Sequence, residues 1–168
     1  MNERLNITGK FTLTIRELDG TLVSRRQFAN TMCNYGMGAL ANFLVSNLFI
    51  GSNSSALVLP SAPPIYMAVG NGTTTPAATD TTLAAELARE PITTAASPTP
   101  SSSQIPSFSW YTIFPTSGST WSISEAGVFL NATSTANSGA LLDHSLISPA
   151  ENKSATQIAE LQVTFTLS

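Results

Sequence analysis

Few groups in this chain could do chemistry, and their spacing limits what that chemistry could be. His144 is the single histidine, so a metal site built on two or three imidazoles is excluded. It directly follows Asp143, and a nucleophile–His–Asp relay would need that carboxylate to orient the ring. Neighbours on a strand point to opposite faces, so Asp143 cannot support His144. Cys33 is the lone cysteine, which rules out an intramolecular disulfide. With no Lys, Arg or His close by in sequence to lower its pKa, it reads as a small core residue rather than a nucleophile.

The carboxylates Asp80, Glu86, Glu90 and Glu125 could in principle supply a glycosidase pair, which needs two carboxyls roughly 5 to 10 Å apart in a cleft. No aromatic sugar platform is arranged around them. A structural reading is favoured: Glu86 and Arg89, three apart, form an ion pair joined by Glu125, and this pins a central loop to the sheet. Gly70-Asn71-Gly72 resembles a phosphate-binding turn only superficially. Thr73-Thr74 stands where a Walker loop needs Lys-Ser/Thr, and Pro76 blocks the helix that a dinucleotide fingerprint requires. No catalytic residue, cofactor or metal ligand is assigned.

The elements that position these groups follow from periodicity. Phe11, Leu13 and Ile15 alternate with threonines and Arg16 as a half-buried strand, and Asp19-Gly20 signals the hairpin turn into Thr21-Leu22-Val23. Met37, Leu40, Ala41, Leu44 and Leu48 recur at helical steps after Asn34, and Gly51 ends the run. Gly36 and Gly38 weaken the first turn, so packing must stabilise this helix, which is expected to lie buried across a sheet.

Tyr66–Val69 reads as a strand entering the glycine turn, with positive φ available at 70 and 72. A brief helical turn follows, capped by Asp80 or Thr81, with Leu83 and Leu87 on one face. Strands are expected at Phe108–Phe114, at Trp121–Leu130 with a bulge at Gly127, at Leu141–Ile147 ended by Pro149, and at Gln157–Leu167. In the last of these Ala159, Leu161, Val163, Phe165 and Leu167 share a face.

These elements give a mainly β fold: an antiparallel β-sandwich or jelly-roll-like domain with one short α-helix packed on the sheet. The 168 residues make a single domain, 1–168, with exposed loops at 51–64 and 91–106. The second loop, with Pro at 91, 98, 100 and 106, is expected to be extended. It serves either as an arm that contacts a neighbouring subunit or as a plain solvated loop.

Only 10% of residues are charged while 42% are apolar, and net charge is −3 with no basic run longer than Arg25-Arg26. A nucleic-acid footprint is therefore missing. The longest apolar run, 40–50, is broken by Asn42, Ser46 and Asn47 and falls short of the ~20 residues needed to span a bilayer, so no membrane role is expected. The start, MNERLNITGK, lacks the pattern of a signal peptide. The five Asn-x-Ser/Thr sequons, at Asn6, Asn53, Asn71, Asn131 and Asn152, are what a Ser/Thr-rich chain contains by chance.

The order of pieces resembles small structural proteins of tailed bacteriophages. The resemblance rests on the strand, Gly70-Asn71-Gly72-Thr73 turn, Thr/Pro/Ala stretch and Leu83-x-x-Glu86-x-x-Arg89 close. It also includes the opening Asp19-Gly20, Asn30 and Tyr35-Gly36-Met37, and the closing Ile123–Phe129 and Ala140-Leu141-Leu142. It covers most of the chain apart from about 51–64 and 91–106.

The resemblance implies a non-enzymatic virion structural protein, made in the host cytoplasm and carried on the exterior of the assembled particle. The preferred role is capsid decoration (cement), in which a homotrimer clamps neighbouring major capsid subunits. Contacts are expected at Leu57 and Val58 and at Ile92, Gln104 and Ile105, apolar or amide side chains displayed on Ser/Thr-rich loops. A tail, neck, baseplate or fibre component is the alternative, although no internal repeat of the fibre kind is visible. A glycan-binding surface module is the second alternative, with Trp110, Tyr111 and Trp121 as the available aromatic platform.

Overall fold

The computed structural model of the chain describes residues 7–48, 64–96 and 107–167. Two antiparallel five-stranded sheets pack face to face as a β-sandwich. Strands β1 (Ile7–Arg16), β2 (Leu22–Ala29), β6 (Thr94–Ala96), β7 (Ser107–Phe114) and β10 (Ile158–Leu167) build the first sheet, in the order β2-β1-β10-β7-β6. The second contains β3 (Thr31–Met32), β4 (Ile65–Gly70), β5 (Glu86–Pro91), β8 (Trp121–Leu130) and β9 (Ala140–Lys153), in the order β3-β9-β8-β4-β5. The single helix among the described residues, α1 (Asn34–Leu48), packs beside β9.

The alternation legible in β1 and β10 builds the main core. Phe11, Leu13 and Ile15 lie in register with Val163, Leu161 and Ala159, and all six are fully buried. Facing them from the second sheet are Met67, Val69, Ala126, Val128, Leu142 and Ile147. A second cluster lies on the far side of that sheet: Cys33, Ala68, Leu83, Phe129, Ala132 and Leu141. The second sheet is thus covered on both faces, which is why β8 is buried along nearly its whole length instead of alternating.

Several local expectations need correction. Residues 80–89 form no helical turn. Residues 71–85 run as an irregular loop, and Glu86–Pro91 pairs with β4 as a strand whose register shifts between Val69 and Gly70. The four-residue spacing of Leu83 and Leu87 mimics a helix, but Leu83 is buried in the second cluster while Leu87 is exposed. Gly70 and Gly72 do not take positive φ; a Cβ on either would collide with the Glu125 carboxylate, so their small size is what the fold uses.

The expected bulge at Gly127 is not there: Gly127 pairs regularly with His144, the extra residues at the two register shifts on either side of it lie on β9, and its missing side chain leaves space for Leu83 and Leu141. Pro149 does not end β9, which continues to Lys153. Residues 147–150 fall in a gap in the β8 pairing, where no ladder N–H is required of proline.

The helix is not wholly buried. Gly36 is buried and Met37, Ala39 and Leu40 are half-buried, whereas Tyr35, Gly38 and Ala41 are exposed. Part of the expected second loop is also regular structure, since Pro91 closes β5 and Thr94–Ala96 forms the edge strand β6. No helix among the described residues is long and apolar enough to cross a membrane.

Candidate functional site

The loop over the outer face of the second sheet is held by a buried polar cluster. Glu125, on β8, has no exposed surface. Its Oε1 accepts from the Gly72 and Ala85 amides at 3.0 and 2.7 Å. Its Oε2 accepts from the Ala84 amide at 3.0 Å and faces His144 Nε2 at 3.2 Å. His144 lies on β9 directly across from Gly127 and is 1% exposed. Its Nδ1 lies 2.8 Å from Asp80 Oδ2, which also accepts from the Ala77 amide at 2.9 Å. Ser124 Oγ donates to the Gly72 carbonyl at 2.8 Å. The loop 71–85 offers little apolar surface to hold it down, and these bonds replace the strand pairing that it lacks.

The charge states follow from this geometry. Burial would raise the pKa of Glu125, but hydrogen bonds from His144 and three loop amides hold it below the usual carboxylate value. Asp80, closer to solvent, is likewise held low: the Ala77 amide and His144 outweigh its desolvation. Burial would lower the pKa of His144, yet the two carboxylates raise it above the ordinary imidazole value. Both ring nitrogens then donate, and the ring is an imidazolium clamped between two anions. Neither nitrogen remains to take a proton from a nucleophile, so the geometry suits bracing rather than base catalysis.

Asp143 points the other way, as the strand alternation requires. It lies opposite Val128 in the sandwich interior, near Gly9 of the facing sheet, and is fully buried. Neither carboxyl oxygen has a hydrogen-bond partner of good geometry. Burial pushes its pKa up to about 7; the nearby Asn30 amide and His144 main-chain N–H draw it down too weakly to compensate. Cys33 is buried as expected, and burial together with the Asp143 and Asp80 carboxylates pushes its thiol up to about 12, leaving it an inert thiol.

The expected Glu86–Arg89 pair forms, with Nε–Oε1 and Nη2–Oε2 contacts of 2.6 and 2.7 Å. Its surroundings differ from the expectation. Glu125 does not join it. Instead Arg89 Nη1 reaches the Thr133 and Ser138 carbonyls at 3.2 and 3.0 Å, the Asn137 amide donates to Glu86, and the guanidinium stacks 4.4 Å over Phe129. This pair fastens the 131–139 connection, not the central loop.

Of the expected contact residues, Leu57, Val58, Gln104 and Ile105 lie outside the described residues. Ile92 is half-buried against the main core, and its amide donates to the Ile65 carbonyl at 3.1 Å. The three aromatics proposed as a platform do not share a face. Trp110 packs inward on Phe108 and Phe165, Trp121 stacks edge-on with Phe114, and Tyr111 is on the outer face of the first sheet.

Sequence reasoning missed the Asp80–His144–Glu125 cluster, whose members are 64 and 19 residues from His144 and carry no local signature. Asp143 did carry a signal: a carboxylate inside the expected strand Leu141–Ile147, directly after two leucines. Among the described residues no group of three or more His, Cys, Asp or Glu side chains is disposed to hold a metal ion. No family model, curated protein or solved structure matches this chain.

Proposed function

We propose that this chain is a non-enzymatic structural subunit of a tailed-bacteriophage virion, acting as a capsid decoration protein that seats on the shell and clamps neighbouring coat subunits. The observation that carries this reading is the use made of the buried ionic groups. His144, Glu125, Asp80, Glu86 and Arg89 are all engaged in fastening the protein's own loops to the second sheet. A β-sandwich braced in this way suits a rigid spacer between other subunits. The low charge of the chain, 10% of residues, suits a surface largely covered by partners. The resemblance of its strand and turn order to virion proteins supplies the setting.

Imaging of particles with an antibody to this chain tests the proposal. Label over the shell supports decoration, label confined to the tail or neck moves the protein to the alternative address, and unlabelled particles refute both. Replacing residues 97–106 with a short Gly/Ser link, which leaves β5, β6 and β7 intact, tests the arm. The variant should fold with unchanged thermal stability and bind particles more weakly; undiminished binding would remove the arm from the mechanism.

A further inference from the structure

The outer face of the first sheet is concave and polar. A trough of about 800 Å³ runs along it, lined by Thr8, Lys10, Thr12, Gln27, Thr164 and Thr166 with Gly9, Phe28 and Ala29 between them. It continues past Thr12 into a smaller hollow of about 130 Å³ bordered by Arg25, Tyr111 and Gln162 and by the Arg16–Glu160 pair, whose carboxylate is neutralised by its arginine. Strand register places Gln27, Thr12, Gln162 and Tyr111 in one row across four adjacent strands. Thr12 and Thr14 form the floor, 9% and 6% exposed although they point away from the core.

An ordinary solvated sheet face is flat or convex; this one is hollow on the scale of a ligand pocket, about 300–1,000 Å³. Phe28 is the one large apolar residue in its lining, and it is buried, so the groups the trough offers a ligand are mainly hydroxyls, an amide and an ammonium. Threonine hydroxyls and glutamine amides each both donate and accept, which matches a polyhydroxylated molecule, and Tyr111 adds a ring against which a sugar face can lie.

Charge narrows the class further. Arg16 is paired with Glu160 at 3.1 Å, whereas among the described residues no carboxylate pairs with Lys10 or Arg25. Among the described residues the face thus carries two positive charges without a paired carboxylate, in a chain of net charge −3. Lys10 sits four residues before Thr14, and Thr14 is directly opposite Arg25. At ~3.3 Å per residue the two cations stand roughly 13 Å apart along the strands, the span of a short oligosaccharide.

We infer that this trough binds an acidic oligosaccharide, with sugar carboxylates at Lys10 and Arg25 and hydroxyls along the Gln27–Thr12–Gln162 row. The site is independent of the loop-bracing cluster on the other sheet, so it holds whatever the protein's address on a particle. The test is calorimetric titration of the full chain with size-defined oligosaccharides of hyaluronate and alginate, using neutral dextran oligosaccharides as control.

Both acidic probes should bind and weaken as salt rises, and dextran should not bind. The double variant Lys10→Gln/Arg25→Gln should bind at least tenfold more weakly, and Gln162→Ala should also bind more weakly, with thermal unfolding of both unchanged. Absence of binding to either acidic probe, equal binding of dextran, or undiminished binding by the double variant would overturn the inference.

Discussion

Asp143 should make the protein less stable as pH rises through the mildly acidic range, and substitution by asparagine should remove that dependence. The carboxyl is fully buried with neither oxygen properly hydrogen-bonded, and its pKa stands at about 7 against an ordinary 3.8. The folded protein therefore holds a proton that the unfolded chain has released. Between these two values stability falls as pH increases, by about 1.4 kcal/mol per pH unit. Over a window of about three units the loss is about 4 kcal/mol, a large share of the 5–15 kcal/mol typical of a domain.

The amide of Asp143→Asn has nearly the same shape and cannot titrate. Any cost of leaving it unpaired is the same at every pH, so the difference between the two proteins isolates ionisation. Urea unfolding at half-unit steps from pH 4 to pH 8 should show wild type losing about 4 kcal/mol more than the variant across that range. Curves that run parallel would show that Asp143 ionises freely in the fold, and the account of an unpaired buried carboxyl would fail.

Three further outcomes follow from named contacts. Glu125→Gln removes the anion that accepts from three loop amides and faces His144, and should cost about 3 kcal/mol or more in urea unfolding while opening residues 71–85 to proteolysis. Gly36→Ala and Gly38→Ala should have opposite signs. A Cβ at 36 would run into the Leu142 backbone, so helix or strand must shift and the melting temperature drops. A Cβ at 38 meets nothing, so alanine at this exposed position should stabilise the helix by about 0.4–1 kcal/mol.

His144, with its pKa raised, contributes stability that is complete below its unfolded value near 6.5 and is lost as pH rises through the higher folded value. In the Asp143→Asn background this is the alkaline loss that remains. His144→Gln should flatten it, and an unchanged slope would remove the imidazolium from the clamp.

The fold was most legible where a single rule governs a strand. In β1 and β10 the apolar residues all take the core face, so period two marks the core directly, even though Thr12 and Thr14 on the other face of β1 are nearly covered too. Trp121–Leu130 is a strand with the expected bounds, although without the expected bulge at Gly127. The segment 80–91 misled because Leu83/Leu87 and Glu86/Arg89 have helical spacings, while a register shift in β5 lets Glu86 and Arg89 meet on a strand. Pro149 misled because its place beside a gap in pairing depends on β8, more than twenty residues earlier. The His144 cluster was illegible for a related reason: its three members are brought together by a loop folding over a sheet, and nothing near any of them in sequence indicates the other two.

The division of charge between the two sheets gives the molecule its polarity. On the second sheet the outer face is closed, because a loop made largely of threonine, proline and alanine has only Leu83 to bury and must be held by ionic groups instead. Those groups are occupied with the protein's own backbone and offer nothing to a partner. On the first sheet the outer face carries the trough, with its hydroxyls and amides in strand register and, among the described residues, no carboxylate paired with Lys10 or Arg25. This hollow, hydrogen-bonding face is the one inferred to meet a ligand. In the virion setting proposed above, the first sheet would point away from the shell, and attachment would fall to the loops and edges around the second.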